Sequence, residues 1–306
     1  MKRDIDVVFM GTPDFAVPVL EMLINSTNVV LVVTQPDKEV GRKKEIKYCP
    51  VKEVAIKNNI EVFQPVRIRN DFEIIKSLKP DLIVTCAYGQ IIPQELLDIP
   101  RLGAVNVHAS LLPKYRGAAP IQWVLLNGED ETGVSLMYMD AGMDTGDTFA
   151  QEKYLIKDTD NVGTLHDELS KMGALLLERN LDDIINNSTN RVKQDDSMAT
   201  YAPMIKREDE EIDINDKGKN IINKIRAFNP WPLAYIKIQD EELKVIDAEY
   251  VEKENTKIGK VIKNKDSLGI EVLDGIIYFK KVKPIGKKEM NIKDYLNGID
   301  NRIKGD

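Results

Sequence analysis

The sequence predicts two domains: a doubly wound α/β domain with a mostly parallel sheet, then a smaller β domain curled into an open barrel. Three observations carry this. Near-continuous Val/Ile/Leu runs recur through the first half, among them IDVVFM at 5–10, VVLVVTQ at 29–35 and DLIVTCAYG at 81–89. Stretches with helical spacing separate them, and strands apolar on both faces belong to a parallel sheet covered by helices. Beyond residue 206 the pattern becomes short strands punctuated by Gly and Asp, as in hairpins.

In chain order, IDVVFM is a buried strand and GTPDF a turn, followed by helical AVPVLEMLI at 16–24. Gly11 serves a tight strand-to-helix turn, because neither Gly-x-Gly-x-x-Gly nor a phosphate loop ending in Gly-Lys is present. After the strand at 29–35, PVKEVAIKNN (50–59) is amphipathic, IEVFQP (60–65) is a short strand and FEIIKSLK (72–79) is helical. DLIVTCAYG and GAVNVHAS (103–110) are two more buried strands, and MDAGMDTGD (139–147) turns between the strands VSLMYM and TFAQEKYLI. TLHDELSKMGALLLERNLDDII (164–185) is one long helix, with His166 near its start as a surface or capping residue. The expected division is a first domain at 1–188, a polar linker at 189–206 and a second domain at 207–306. The second domain holds a helix at 218–228 and five short strands, which suggests an OB-like barrel.

The chain has 306 residues, enough for roughly two domains. Its two cysteines, Cys49 and Cys86, form neither a disulfide framework nor a Cys-x-x-Cys pair, which fits a reducing cytoplasm. The apolar run near the start is too short for a signal segment, and no stretch approaches the ~20 apolar residues of a membrane span. The net charge of −7 argues against nucleic acid, but it is unevenly distributed. Residues 257–293 carry 10 basic and 4 acidic side chains, and the loop at 38–47 carries five basic and two acidic ones. Two basic patches on an acidic body are therefore expected.

Only two histidines occur, and His108 stands two residues after Asn106 at the end of a buried strand. Ligands in such sheets bind at the carboxyl ends of the strands, and residues two apart share a face. Asn with His suits acyl transfer to an amine: the amide N–H stabilises an oxyanion, and the imidazole exchanges protons. No Ser or Cys nucleophile stands in a recognised motif, which favours direct attack on an activated acyl donor. A carboxylate from 139–147 completes the group; by spacing, Asp140, Asp144 and Asp147 are all candidates.

NVHASLLPKYRGAAP with a downstream AGMDTGD resembles the 10-formyltetrahydrofolate-dependent formyltransferases. The resemblance runs from about residue 5 to residue 297 and implies a Rossmann-like catalytic domain. It places the catalytic trio on Asn106, His108 and Asp144. It places the folate site on Ser110, Leu111, Leu112 and Pro113, on Ala87, Tyr88, Gly89, Gln90, Ile91 and Ile92, and around Asp140. TQPDKEVGRKK (34–44), RAFNPWPLAY (226–235) and GKKEM (286–290) resemble the members that act on initiator methionyl-tRNA, which supply formylated tRNA for translation initiation. That implies a tRNA-binding loop with Arg42, Lys43 and Lys44, 10-formyltetrahydrofolate as formyl donor, no metal, no membrane and a monomer. The acidic run EDEEIDIND at 208–216 departs from this pattern and must face away from phosphate. The rival expectations are a formyltransferase acting on a small amine, a nicotinamide-dependent oxidoreductase and a non-catalytic RNA-binding protein.

Overall fold

A computed structural model of the chain describes residues 2–40, 45–239, 241–298 and 303–305. It divides into two compact units: residues 1–120, 131–155 and 166–203 form the first, and residues 121–130, 156–165 and 204–306 the second.

The first unit contains β1 (Asp6–Gly11), α1 (Val17–Ser26), β2 (Asn28–Val33), β3 (Lys38–Val40), β4 (Glu45–Lys47) and α2 (Pro50–Lys57). It continues through β5 (Val62–Phe63), α3 (Glu73–Leu78), β6 (Leu82–Cys86), α4 (Gln94–Leu97) and β7 (Ala104–His108). After α5 (Pro120–Leu126), which beyond Pro120 belongs to the second unit, come β8 (Glu131–Tyr138), β9 (Thr148–Leu155) and α6 (Val162–Ile185), whose residues up to Leu165 also belong to the second unit. The sheet runs β5-β2-β1-β6-β7-β8-β9. Its first five strands are parallel, and β8 and β9 close it as an antiparallel hairpin.

Sequence pattern explains this order. Every residue of β6 is buried, as a central strand covered on both faces requires. The outer half of β9 alternates exposed and half-buried residues, as an edge strand does. Strand order reverses at β1, which lies between β2 and β6 and so marks a switch point for ligands. Gly11 ends β1 where an added Cβ would lie 2.9 Å from both Cys86 O and Ala16 Cβ, so close approach requires glycine there. One core cluster includes Val8, Met10, Ile68, Ile75, Ile83 and Leu96. Each such fully buried aliphatic side chain contributes roughly 1.5–3 kcal/mol.

His166 is more enclosed than its polar neighbours suggest. Its side chain is 13% exposed, between Asp14 at 3.3 Å and Asp167 at 3.0 Å. Its ring meets Phe15 edge-on.

The second unit contains α7 (Gly218–Phe228), β10 (Tyr235–Ile238), β11 (Glu241–Glu252), β12 (Val261–Lys263), β13 (Leu268–Val272), β14 (Gly275–Pro284), β15 (Met290–Asn291) and α8 (Ile292–Leu296). The antiparallel sheet runs β10-β11-β14-β13-β12, with β15 on β14, and curls into an open half-barrel of OB-like form. Register shifts at Val245, Asp247 and Ala248 bend the long β11. α7 packs Ile221, Ile225 and Phe228 into the core of this unit. The acidic run at 208–216 is taken up locally. Glu210 pairs with Arg207. Glu211 pairs with Lys237 and accepts from Tyr235, and these contacts hold its carboxyl below the usual carboxylate range. Among the described residues no helix is long and apolar enough to cross a membrane.

Candidate active site

Asn106 and His108 lie on one face of β7 at its carboxyl end. The opposite face carries Val105 and Val107, and α6 approaches it so closely that a Cβ on Gly173 would lie 2.7 Å from Val107 Cγ1. That packing leaves the Asn106 and His108 face as the one open to chemistry. Asn106 pairs in register with Thr85 of β6 and Met137 of β8, and His108 with Ser135.

Each polar atom of the pair has a defined role. Thr85 Oγ1 donates to Asn106 Oδ1 at 2.8 Å. The Nδ2 edge is thereby left as the amide's donor. His108 Nε2 lies 3.0 Å from Tyr115 O. A backbone carbonyl only accepts, so Nε2 carries the proton and Nδ1 is the nitrogen that gains and loses one. His108 is 6% exposed, and its Nδ1 faces Asp144 Oδ2 at 3.7 Å. That exceeds a hydrogen bond and leaves Asp144 acting on the ring as a charge.

The loop at 139–147 separates the three aspartates by role. Asp140 Oδ1 accepts from Gly142 N and Thr145 Oγ1, closing the turn. Asp147 contributes its carbonyl to Tyr138 N across the hairpin. Among the described residues, Asp144 is the carboxylate facing His108, and Gly117 N donates to its Oδ2 at 2.8 Å.

The two expected folate segments flank this centre. Along 87–92 the side chains alternate: Ala87, Gly89 and Ile91 are exposed, whereas Tyr88 and Ile92 are buried. The Tyr88 ring joins the hydrophobic core with its hydroxyl unpartnered among the described residues, and burial raises that hydroxyl's pKa. Its carbonyl accepts from Thr12 Oγ1 and Gln35 Nε2. Gln90 braces the segment by donating to Pro65 O and accepting from Ile68 N. The exposed positions of the run are therefore Ala87, Gly89 and Ile91. Within 110–113, Ser110 Oγ donates to Lys114 O, and Ser135 Oγ bridges Ser110 O and Leu112 N. Leu111 and Pro113 are half-buried beside the fully enclosed Leu112. Arg42, Lys43 and Lys44 lie outside the described residues.

A formyl transferase model matches residues 5–181, and a formyl transferase C-terminal domain model matches residues 204–300. The chain belongs to the formyl transferase family. Methionyl-tRNA formyltransferase of Staphylococcus epidermidis is 46% identical over 303 residues, with 98% of each chain covered. The Staphylococcus aureus enzyme of the same name is 44% identical over 311 residues, also at 98% of each chain. In fold, this formyl transferase resembles the N-formyltransferase of Helicobacter canadensis, at a TM-score of 0.66 and 24% identity over 94% of this chain and 100% of that one. HypX of Aquifex aeolicus aligns at a TM-score of 0.65 and 16% identity; 99% of this chain covers 51% of HypX.

Residue-level reading missed Thr85, Tyr115, Gly117 and Gln194. Thr85 had a signal, being the lone hydroxyl in the apolar run DLIVTC. Replacing it with Val keeps the shape and frees the Asn106 amide to rotate. The expected result is a fall in kcat of about 2–10-fold, the worth of one neutral hydrogen bond, with recovery in Thr85→Ser. Unchanged kcat in Thr85→Val would remove Thr85 from the site.

Proposed function

We infer that this chain transfers the formyl group of 10-formyltetrahydrofolate to the α-amine of methionine on initiator tRNA. The observation that carries this reading is the trio itself: an Asn donor and a His with one free ring nitrogen on a single strand end, with a carboxylate facing that nitrogen. Its extension to charged tRNA rests on relatives of that name over 98% of the chain.

The folate supplies the activated formyl group. Asn106 Nδ2 donates to the formyl oxygen as charge develops there, and His108 Nδ1 takes the proton that the attacking amine gives up; the bond from the formyl carbon to folate N10 then breaks, and tetrahydrofolate leaves with a proton on that nitrogen. Asp144 stabilises the imidazolium so formed and holds the ring in place. Ala87, Gly89 and Ile91 with the 110–113 loop line the folate side, and Arg42, Lys43 and Lys44 contact the acceptor stem. The second unit adds backbone-phosphate contacts: Lys283 and Lys288 are exposed about the β14–β15 turn, whereas Lys280, Lys281 and Lys293 are tied to Glu249, Glu289 and Asp266. A cytoplasmic monomer fits this role.

The test offers the purified protein 10-formyltetrahydrofolate with three acceptors: methionyl initiator tRNA, free methionine and a glycinamide nucleotide. Formylation is expected on the charged tRNA alone. Its KM for tRNA is expected to rise steeply between about 50 and 200 mM salt, because phosphate contacts release counterions. Formylation of the small amine would keep the chemistry and discard the tRNA reading, and a flat salt response would remove the lysines from the contact.

A further inference from the structure

We propose that Gln194 is a positioning residue for formyl transfer: through the backbone of the Asp144 turn it sets where the Asp144 carboxylate stands relative to His108. This rests on the functional reading above. Asp144 adopts φ +55°, the left-handed region that side chains other than glycine enter mainly as single Asn or Asp residues in turns. Gly117 N holds the Asp144 carboxylate from one side. From the other side Gln194 Nε2 donates to Asp144 O at 2.9 Å and to Gly146 O at 2.7 Å, spanning the turn.

The far end of Gln194 is anchored just as firmly. Its Oε1 accepts from Arg116 Nε at 3.1 Å and from a terminal guanidinium nitrogen at 2.9 Å. Arg116 only donates and the two carbonyls only accept, so the amide has one possible orientation. Arg116 is 2% exposed and Gln194 6%, so each would be costly to leave unpaired. Arg116 is locked in turn by Asp196, and its backbone pairs with Thr200 and Ala202. Its two neighbours reach the reacting pair directly: Tyr115 offers its carbonyl to His108, and Gly117 its N–H to Asp144. One buried strut therefore aligns both partners, and its key member lies in the polar stretch expected to be a linker.

Gln194→Glu removes the brace. The carboxylate still accepts from Arg116 but cannot donate to the two carbonyls, so the turn loses its brace and the core keeps its ion. The expected kcat for charged tRNA falls up to about 100-fold, the scale of a ~1 Å misplacement, while KM for both substrates stays within about twofold. In an Asp144→Asn background, the same change is expected to lower the residual single-turnover rate by less than about threefold, because residues acting as a unit are non-additive. An equal loss in both backgrounds, or unchanged kcat, would overturn the proposal. If Gln194→Glu does not melt cooperatively, Gln194→Met, equal in length and without polar atoms, replaces it under the same two criteria. Wild-type protein inactive on every acceptor would instead defeat the functional reading on which the proposal stands.

Discussion

Replacing His108 with Gln is expected to lower the single-turnover rate of formyl transfer by about 10²–10⁴-fold, the usual worth of positioned acid–base catalysis. Gln is the informative replacement because its amide can keep the donor bond to Tyr115 O that His108 Nε2 makes. The loop at 114–117 then retains its anchor, and only the proton-accepting nitrogen facing Asp144 is lost. The melting temperature is expected to stay within about 5 °C of wild type, since one retained hydrogen bond is worth of order 1 kcal/mol. A rate within tenfold of wild type would show that the amine loses its proton to another base.

Asn106→Asp is expected to cost about 10²–10³-fold in kcat, the scale measured for removing one oxyanion donor. The substitution is isosteric, and its carboxylate can still accept from Thr85 Oγ1. What changes is the other atom: a donating N–H2 becomes an anionic oxygen placed where negative charge develops. The loss should fall on kcat with KM for the folate little altered, because the interaction strengthens only in the transition state. Raised KM with unchanged kcat would assign Asn106 to ground-state binding. Thr85→Val should give a smaller loss in the same direction, because it loosens the amide without inverting its polarity.

Much of the fold was legible because its determinants are local. Apolar period and length marked β1, β2, β6 and β7, and the helix expected at 218–228 coincides with α7. The hairpin about residues 139–147 followed from Gly and Asp between two strands. Two short helices, α4 and α5, left no clear trace: α4 has only four residues, and α5, PIQWVLL, is apolar almost throughout and so shows no helical period. The site was legible only where a short motif held it. Asn106 and His108 share a strand, and a two-residue spacing suffices to put them on one face.

Sequence by itself determined the strand and helix periods, the facing of Asn106 and His108 and, through NVHASLLPKYRGAAP, the family. Tertiary structure alone decided which of three aspartates faces the histidine, and which residues of 87–92 are exposed rather than packed in the core. It also drew Gln194 to Arg116 across 78 residues and turned a polar stretch without periodicity into the brace of the Asp144 turn. The physical reason is range. Periodicity reports the environment of a residue's own element, whereas the partner of a hydrogen bond depends on how distant segments pack, and no local pattern encodes that distance.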